Sequence, residues 1–108
     1  MVKTTKLHVA PTRLDAEKIG KMANVLKTIA HPLRLSVIEV LDSNGPMTVT
    51  ELINQLQVEQ SLLSHHLTKM KDRGILTAER QGKNIRYELA EESLTRVFDC
   101  LGNCDLVK

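Results

Sequence analysis

Between Gln60 and Lys71 the chain places Gln60, Ser61, Ser64, His65, Thr68 and Lys69, with no acidic residue in the run. On a helix these side chains fall away from the stripe formed by Leu63, Leu67 and Met70, which recur at steps of four and three. A solvated helix face ordinarily mixes Glu with Lys, whereas a carboxylate-free face of short hydrogen-bonding groups suits approach to an anionic partner. Gln, Ser and His can reach base edges in the major groove, and Lys and Arg sit against phosphates and fix register. The chemistry indicated is therefore recognition of double-stranded DNA. From Gln60 to Arg86 six cations (Lys69, Lys71, Arg73, Arg80, Lys83, Arg86) stand against Asp72 and Glu79, a balance of +4 in a chain whose total is +2.

The other reactive pair is Cys100 and Cys104, which a continuous final helix would carry on one face. Thiolates bind soft metals and metalloids, and partly exposed ones oxidise. Free cysteines also serve as small buried hydrophobes, so the pair has three readings: a redox or persulfide switch, a soft-metal or metalloid site, and core packing. His65 and His66 are adjacent and therefore about 100° apart on a helix, which is not ligand spacing; His66 is expected inside, hydrogen-bonded. No nucleophile lies at recognisable spacing from a base, no glycine loop would cradle a phosphate, and no paired carboxylates stand in apolar surroundings. The chain is not expected to be an enzyme, and no cofactor is required.

The elements that would position these groups can be read from the same periodicities. Val49 to Leu56 reads as a short helix capped by Thr48 or Thr50, and Gln57-Val58-Glu59 as a tight turn into the helix that starts at Gln60. Residues 75–80 and 85–89 are strand-like, with Gln81-Gly82-Lys83-Asn84 as the hairpin turn. Upstream, Asp15 caps a helix whose face carries Ile19, Met22, Ala23, Val25, Leu26 and Ile29, and His31-Pro32 opens a second helix to about Asp42. His31 is expected to cap or pack there, and Arg34 to reach a phosphate or to stay solvated or salt-bridged. A final helix begins at Glu91 or Glu92, with Leu94, Val97, Phe98 and Leu101 on one stripe and Cys100, Cys104 and Val107 beside it. The predicted fold is mainly α with a small β-hairpin: a winged helix-turn-helix of about five helices and a two-stranded wing. The terminal helices have more apolar surface than one domain needs, as a two-fold dimer requires.

The run Ile29-Ala30-His31-Pro32-Leu33-Arg34-Leu35, the helix Gln60-Ser61-x-x-Ser64-His65-His66-Leu67, Gly74-Ile75-Leu76 and the wing Arg80-x-Gly82-Lys83-x-x-x-Tyr87-x-Leu89 resemble the ArsR/SmtB family of small bacterial winged-helix repressors. The resemblance spans roughly residues 15–104. It implies a homodimer that represses transcription and leaves operator DNA when an inducer binds; the residues read at the DNA are Gln60, Ser61, Ser64, His65, Thr68, Lys69, Arg80, Lys83 and Arg86. The inducer is not implied. The family's third-helix cysteine motif would fall on Thr48 to Leu52, which has no cysteine. Its final-helix zinc pattern would fall on Glu91, Ser93, Cys104 and Val107, where only Glu91 keeps its character and Cys104 could substitute.

A chain of 108 residues that is 42% hydrophobic holds one domain with an aliphatic core, since it has one Tyr, one Phe and no Trp. Residues 1–14 read as a flexible basic arm with Lys3, Lys6 and Arg13, and residues 15–108 as the DNA-binding and dimerisation domain. No apolar run is long enough for a membrane span and no secretory signal opens the chain, so a soluble, cytoplasmic protein is expected. The alternative is a winged-helix protein-interaction module. The lysine-rich face argues against it, because interface cores exclude Lys.

Overall fold

The computed structural model describes residues 14–107. The arm expected over residues 1–14 lies outside that range except for Leu14. The described residues form α1 (Ala16–Ile29), α2 (Pro32–Asn44), β1 (Met47–Thr48), α3 (Val49–Leu56), α4 (Gln60–Asp72), β2 (Leu76–Gln81), β3 (Asn84–Leu89) and α5 (Leu94–Gly102), then a 3₁₀ turn at Asp105–Val107.

Local chemistry sets most of these boundaries. Asp15 caps α1 by accepting from the Lys18 N–H at 2.8 Å. His31 caps α2 through Nδ1, which accepts from the Leu33 N–H at 3.1 Å, with Pro32 at the first helical position. Thr48 and Glu51 form a reciprocal capping box on α3. At the far end of α4, Gly74 takes φ +81° while its N–H bonds Lys71 and the Ile75 N–H bonds Met70. That is a Schellman stop, which turns the chain directly into β2.

The core joins three helices to the sheet. Val37, Ile38 and Leu41 of α2, Leu52 of α3, and Leu63, Leu67 and Met70 of α4 are buried together with Ile29, Met47, Ile75, Leu76 and Tyr87. The strand order is β1-β3-β2, antiparallel throughout. The wing thus gains a third strand beyond the two expected. Met47-Thr48 pairs with Tyr87 and Arg86, and so short a segment has too few residues to display a period of two. Burial, and then Asp72, raise the Tyr87 pKa above its usual 10.0, consistent with a neutral hydroxyl in the core.

Two expectations change at the C-terminus. The final helix starts at Leu94, not at Glu91 or Glu92, and it ends at Gly102. Asn103 closes it, its backbone N–H and side-chain Nδ2 both donating to the Asp99 carbonyl. Cys104 therefore lies beyond α5 and does not share a helical face with Cys100: the Gly102-Asn103 pair favours a helix stop over continuation.

Leu67 of α4 is fully buried within the core. Leu67→Ala is expected to lower unfolding free energy by about 2–5 kcal/mol, measured by urea titration. A loss under about 1 kcal/mol would show that this stripe does not anchor α4.

Candidate nucleic-acid interface

Helix α4 is held by its inner stripe and presents the rest. Gln57 adopts the left-handed conformation, φ 57° and ψ 49°, and its N–H bonds the Ile53 carbonyl, so α3 stops and the chain reverses within three residues. Glu59 precedes α4 without a side-chain cap bond, and the first turn of α4 carries no acidic residue. Gln60, Ser61, His65, Thr68 and Lys69 are exposed, and Ser64 is half-buried at the edge of the face. The six residues expected at the DNA from this helix therefore share one accessible surface.

The wing places its cations less uniformly. Gln81 pairs with Asn84, leaving Gly82-Lys83 as a two-residue turn in which Gly82 supplies φ +63°. Lys83 stands exposed at that tip. Arg80 Nη1 donates to the Gly82 carbonyl at 3.3 Å, bracing the loop while remaining exposed. Arg86 lies lower, half-buried in β3 between Thr48 and Glu79.

Behind the accessible face of α4 lies a junction that only part of the sequence signal anticipated. His66 is buried, as its place on the helix requires, and its Nδ1 accepts from Arg34 Nε at 3.0 Å. Arg34 Nη1 donates to the Thr28 carbonyl at 2.7 Å, so one guanidinium ties the end of α1 to the middle of α4. Arg34 is half-buried and, among the described residues, has no ion-pair partner. The His31 and His66 rings lie 4.4 Å apart, and His65 meets His66 edge-on at 5.4 Å. Leu62, which the inward stripe of Leu63, Leu67 and Met70 leaves out, is 46% exposed on the flank of α4 beside His65.

Cys100 is exposed on α5, and Cys104 is half-buried with its Sγ accepting from the Leu106 N–H at 3.5 Å. Among the described residues no group of three or more His, Cys, Asp or Glu is placed to hold a metal ion.

Comparison with known proteins agrees with this geometry. A family described as "Helix-turn-helix domain" matches residues 29–79. The transcriptional repressor PagR of Bacillus anthracis is 40% identical over 79 residues, covering 73% of this chain and 79% of PagR. The HTH-type transcriptional repressor SmtB of Mycobacterium tuberculosis is 32% identical over 87 residues, covering 81% of this chain and 64% of SmtB. Among solved structures, the AntR antimony-specific transcriptional repressor superposes with a TM-score of 0.76 at 26% identity, covering 84% of this chain and 85% of AntR. The chain belongs to the ArsR/SmtB family. As an ArsR/SmtB protein it is a DNA-binding transcriptional regulator, not an enzyme. No helix among the described residues is long and apolar enough to cross a membrane.

Burial, then His31, Arg34 and His65, hold the His66 pKa below the ordinary 6.5. In acid the unfolded chain binds this proton before the folded chain does. The stabilisation is therefore complete above pH 6.5 and is lost as pH falls from 6.5 through the lower folded pKa. The denaturation midpoint of the wild type is expected to hold between about pH 7 and 8 and to fall below about 6.5. His66→Asn, whose Oδ1 can still accept from Arg34, should flatten that fall; an unchanged slope in the variant would assign it elsewhere.

Proposed function

We propose that this chain is a homodimeric repressor that occupies operator DNA through α4 and the wing and releases it when a signal reaches the α5 end. The observation that carries the reading is the acid-free accessible face of α4, fixed on a buried stripe. Gln60, Ser61, Ser64, His65 and Thr68 reach base edges or the phosphates beside them, while Lys69, Arg80, Lys83 and Arg86 hold the backbone. Repression is by occupancy: a bound dimer blocks polymerase.

The second subunit is argued from what one subunit leaves uncovered. Helix α1 buries only Thr28 and Ile29, and α5 buries no residue. Met22, Val25 and Leu26 of α1 and Val97 and Leu101 of α5 stay between 37% and 50% exposed. Pairing these helices about a two-fold axis covers them and sets two reading helices about 34–36 Å apart, one turn of DNA.

Cys100 and Cys104 are the groups in that region able to take a chemical signal, by thiol oxidation or persulfide formation or by binding a soft metal or metalloid. A coupling of about 1–3 kcal/mol between signal and DNA gives 5–150-fold release. AntR is described as antimony-specific. Whether this chain shares a metalloid signal is decided by its own thiols, and the Cys100→Ser/Cys104→Ser variant is expected to keep operator affinity while losing any response to oxidant or arsenite. Retention of the response in that variant would remove the cysteines from the mechanism.

For the reading face, Ser64→Ala and His65→Ala are each expected to cost about 1–3 kcal/mol on operator DNA with little change on scrambled DNA, while Lys83→Gln weakens both alike. Fluorescence anisotropy on the two duplexes separates these outcomes, and equal losses for all three variants would contradict the roles given. For assembly, Val97→Asp with Leu101→Asp should halve the mass measured by light scattering and abolish operator binding. A wild type that sediments as a monomer would refute the dimer.

A further inference from the structure

The last turns of α1 and α4 and the first turn of α2 enclose a hollow of about 230 Å³ lined by Lys27, Thr28, Arg34, Lys69 and Arg73. Its four charged side chains are all cations. We infer that this hollow is a binding site for one internucleotide phosphate of DNA, seated between Lys27, Arg34, Lys69 and Arg73 beside the reading face. The inference rests on the DNA reading above and adds Lys27, Arg34 and Arg73 to it.

Basic residues at helix C-termini have an ordinary role in offsetting the helix dipole, and Lys27 and Lys69 fit it individually. That role does not account for their convergence. Two helix ends meet here with a third helix's arginine between them, and like charges drawn into one concavity repel unless an anion joins them. Among the described residues Lys27, Lys69 and Arg73 have no carboxylate within ion-pair distance, the ion pair found there being Lys21–Glu17 on the far part of α1.

Arg34 makes the hollow a prepared site. Its Nη1 covers the Thr28 carbonyl at 2.7 Å, one of the last-turn carbonyls of α1 whose partial negative charge would oppose an anion. Its Nε is committed to His66 at 3.0 Å, so the guanidinium is oriented before any ligand arrives. The remaining donors of its five are available to an outside acceptor. The Thr28 hydroxyl is turned away, donating to the Asn24 carbonyl at 2.8 Å.

The position favours DNA as the phosphate's source. Lys69 follows His65 by one helical turn, about 6 Å along the axis, on the same flank of α4. A strand bordering the groove that the first turns of α4 enter would run past the hollow. A phosphate held there would set how deep α4 sits.

The test uses the full chain and the duplex footprinted upstream of its own gene. Lys27→Gln and Arg73→Gln are exposed changes that leave the Arg34–His66 junction intact. Each is expected to lower the log–log salt slope of binding by about one unit while leaving the operator-to-scrambled ratio unchanged. Methylphosphonates, which remove one backbone charge at a time, should reveal one phosphate in each half-site whose neutralisation weakens the wild type roughly fivefold or more and the Arg73→Gln protein hardly further. Unchanged salt slopes, or a scan with no phosphate silenced by Arg73→Gln, overturn the proposal. Saturable thermal stabilisation by inorganic phosphate that Arg73→Gln abolishes, without any coupling to a DNA phosphate, also overturns it in favour of a free anion. A wild type with no preference for the operator would defeat the base-reading proposal alone, since slope losses on scrambled DNA would still support the phosphate site.

Discussion

The structure depends on anchoring α4 along one narrow stripe. Leu63, Leu67 and Met70 are fully buried, and His66 fills the remaining inward position with a hydrogen bond to Arg34. Because the apolar residues recur at steps of four and three, the helix has one rotational setting that buries them all. That setting fixes the outward direction of Ser61, His65 and Thr68. A rotation of one residue would bury a hydroxyl and expose a leucine, so hydrophobic burial orients the polar face without any contact from the polar face itself.

The polar junction behind the stripe adds a different kind of order. Apolar packing is tolerant in direction, whereas the Arg34 guanidinium must meet the Thr28 carbonyl and His66 Nδ1 together. It links α1, which carries surplus apolar surface, to α4, which carries the proposed reading face. A displacement of α1 therefore reaches α4 through a pair of directional bonds as well as through packing. Leaving His66 neutral in the folded state is what makes its Nδ1 available as an acceptor, and its lowered pKa comes first from the same burial and then from the neighbouring His31, Arg34 and His65.

Much of this was legible in the residue order. The helix-turn-helix, the wing with its turn at Gln81-Gly82-Lys83-Asn84, the caps Asp15 and His31, the choice of Thr48 or Thr50 for α3, and the burial of His66 all follow from signals a few residues long, because caps, turns and helical stripes are local physics. The short strand β1 was not legible, since two residues carry no period and their pairing with Tyr87 and Arg86 spans some forty residues of chain. The end of α5 was misjudged for a related reason. Apolar residues continue at helical spacing through Cys104 and Val107, but Gly102 and Asn103 end the helix between them.

The sequence by itself determined the class of most elements, because caps, turns and helical stripes depend on neighbours three or four residues away, and it set where positive charge falls along the chain. Only the tertiary structure decided which distant charges meet. Lys27, Arg34, Lys69 and Arg73 are ordinary surface cations when read in order, and they become one site because α1, α2 and α4 end or begin at the same corner. Arg34 could not be assigned to that corner from its own helix. Its partners are a carbonyl six residues before it and a histidine thirty-two residues after it, and only packing brings those three together.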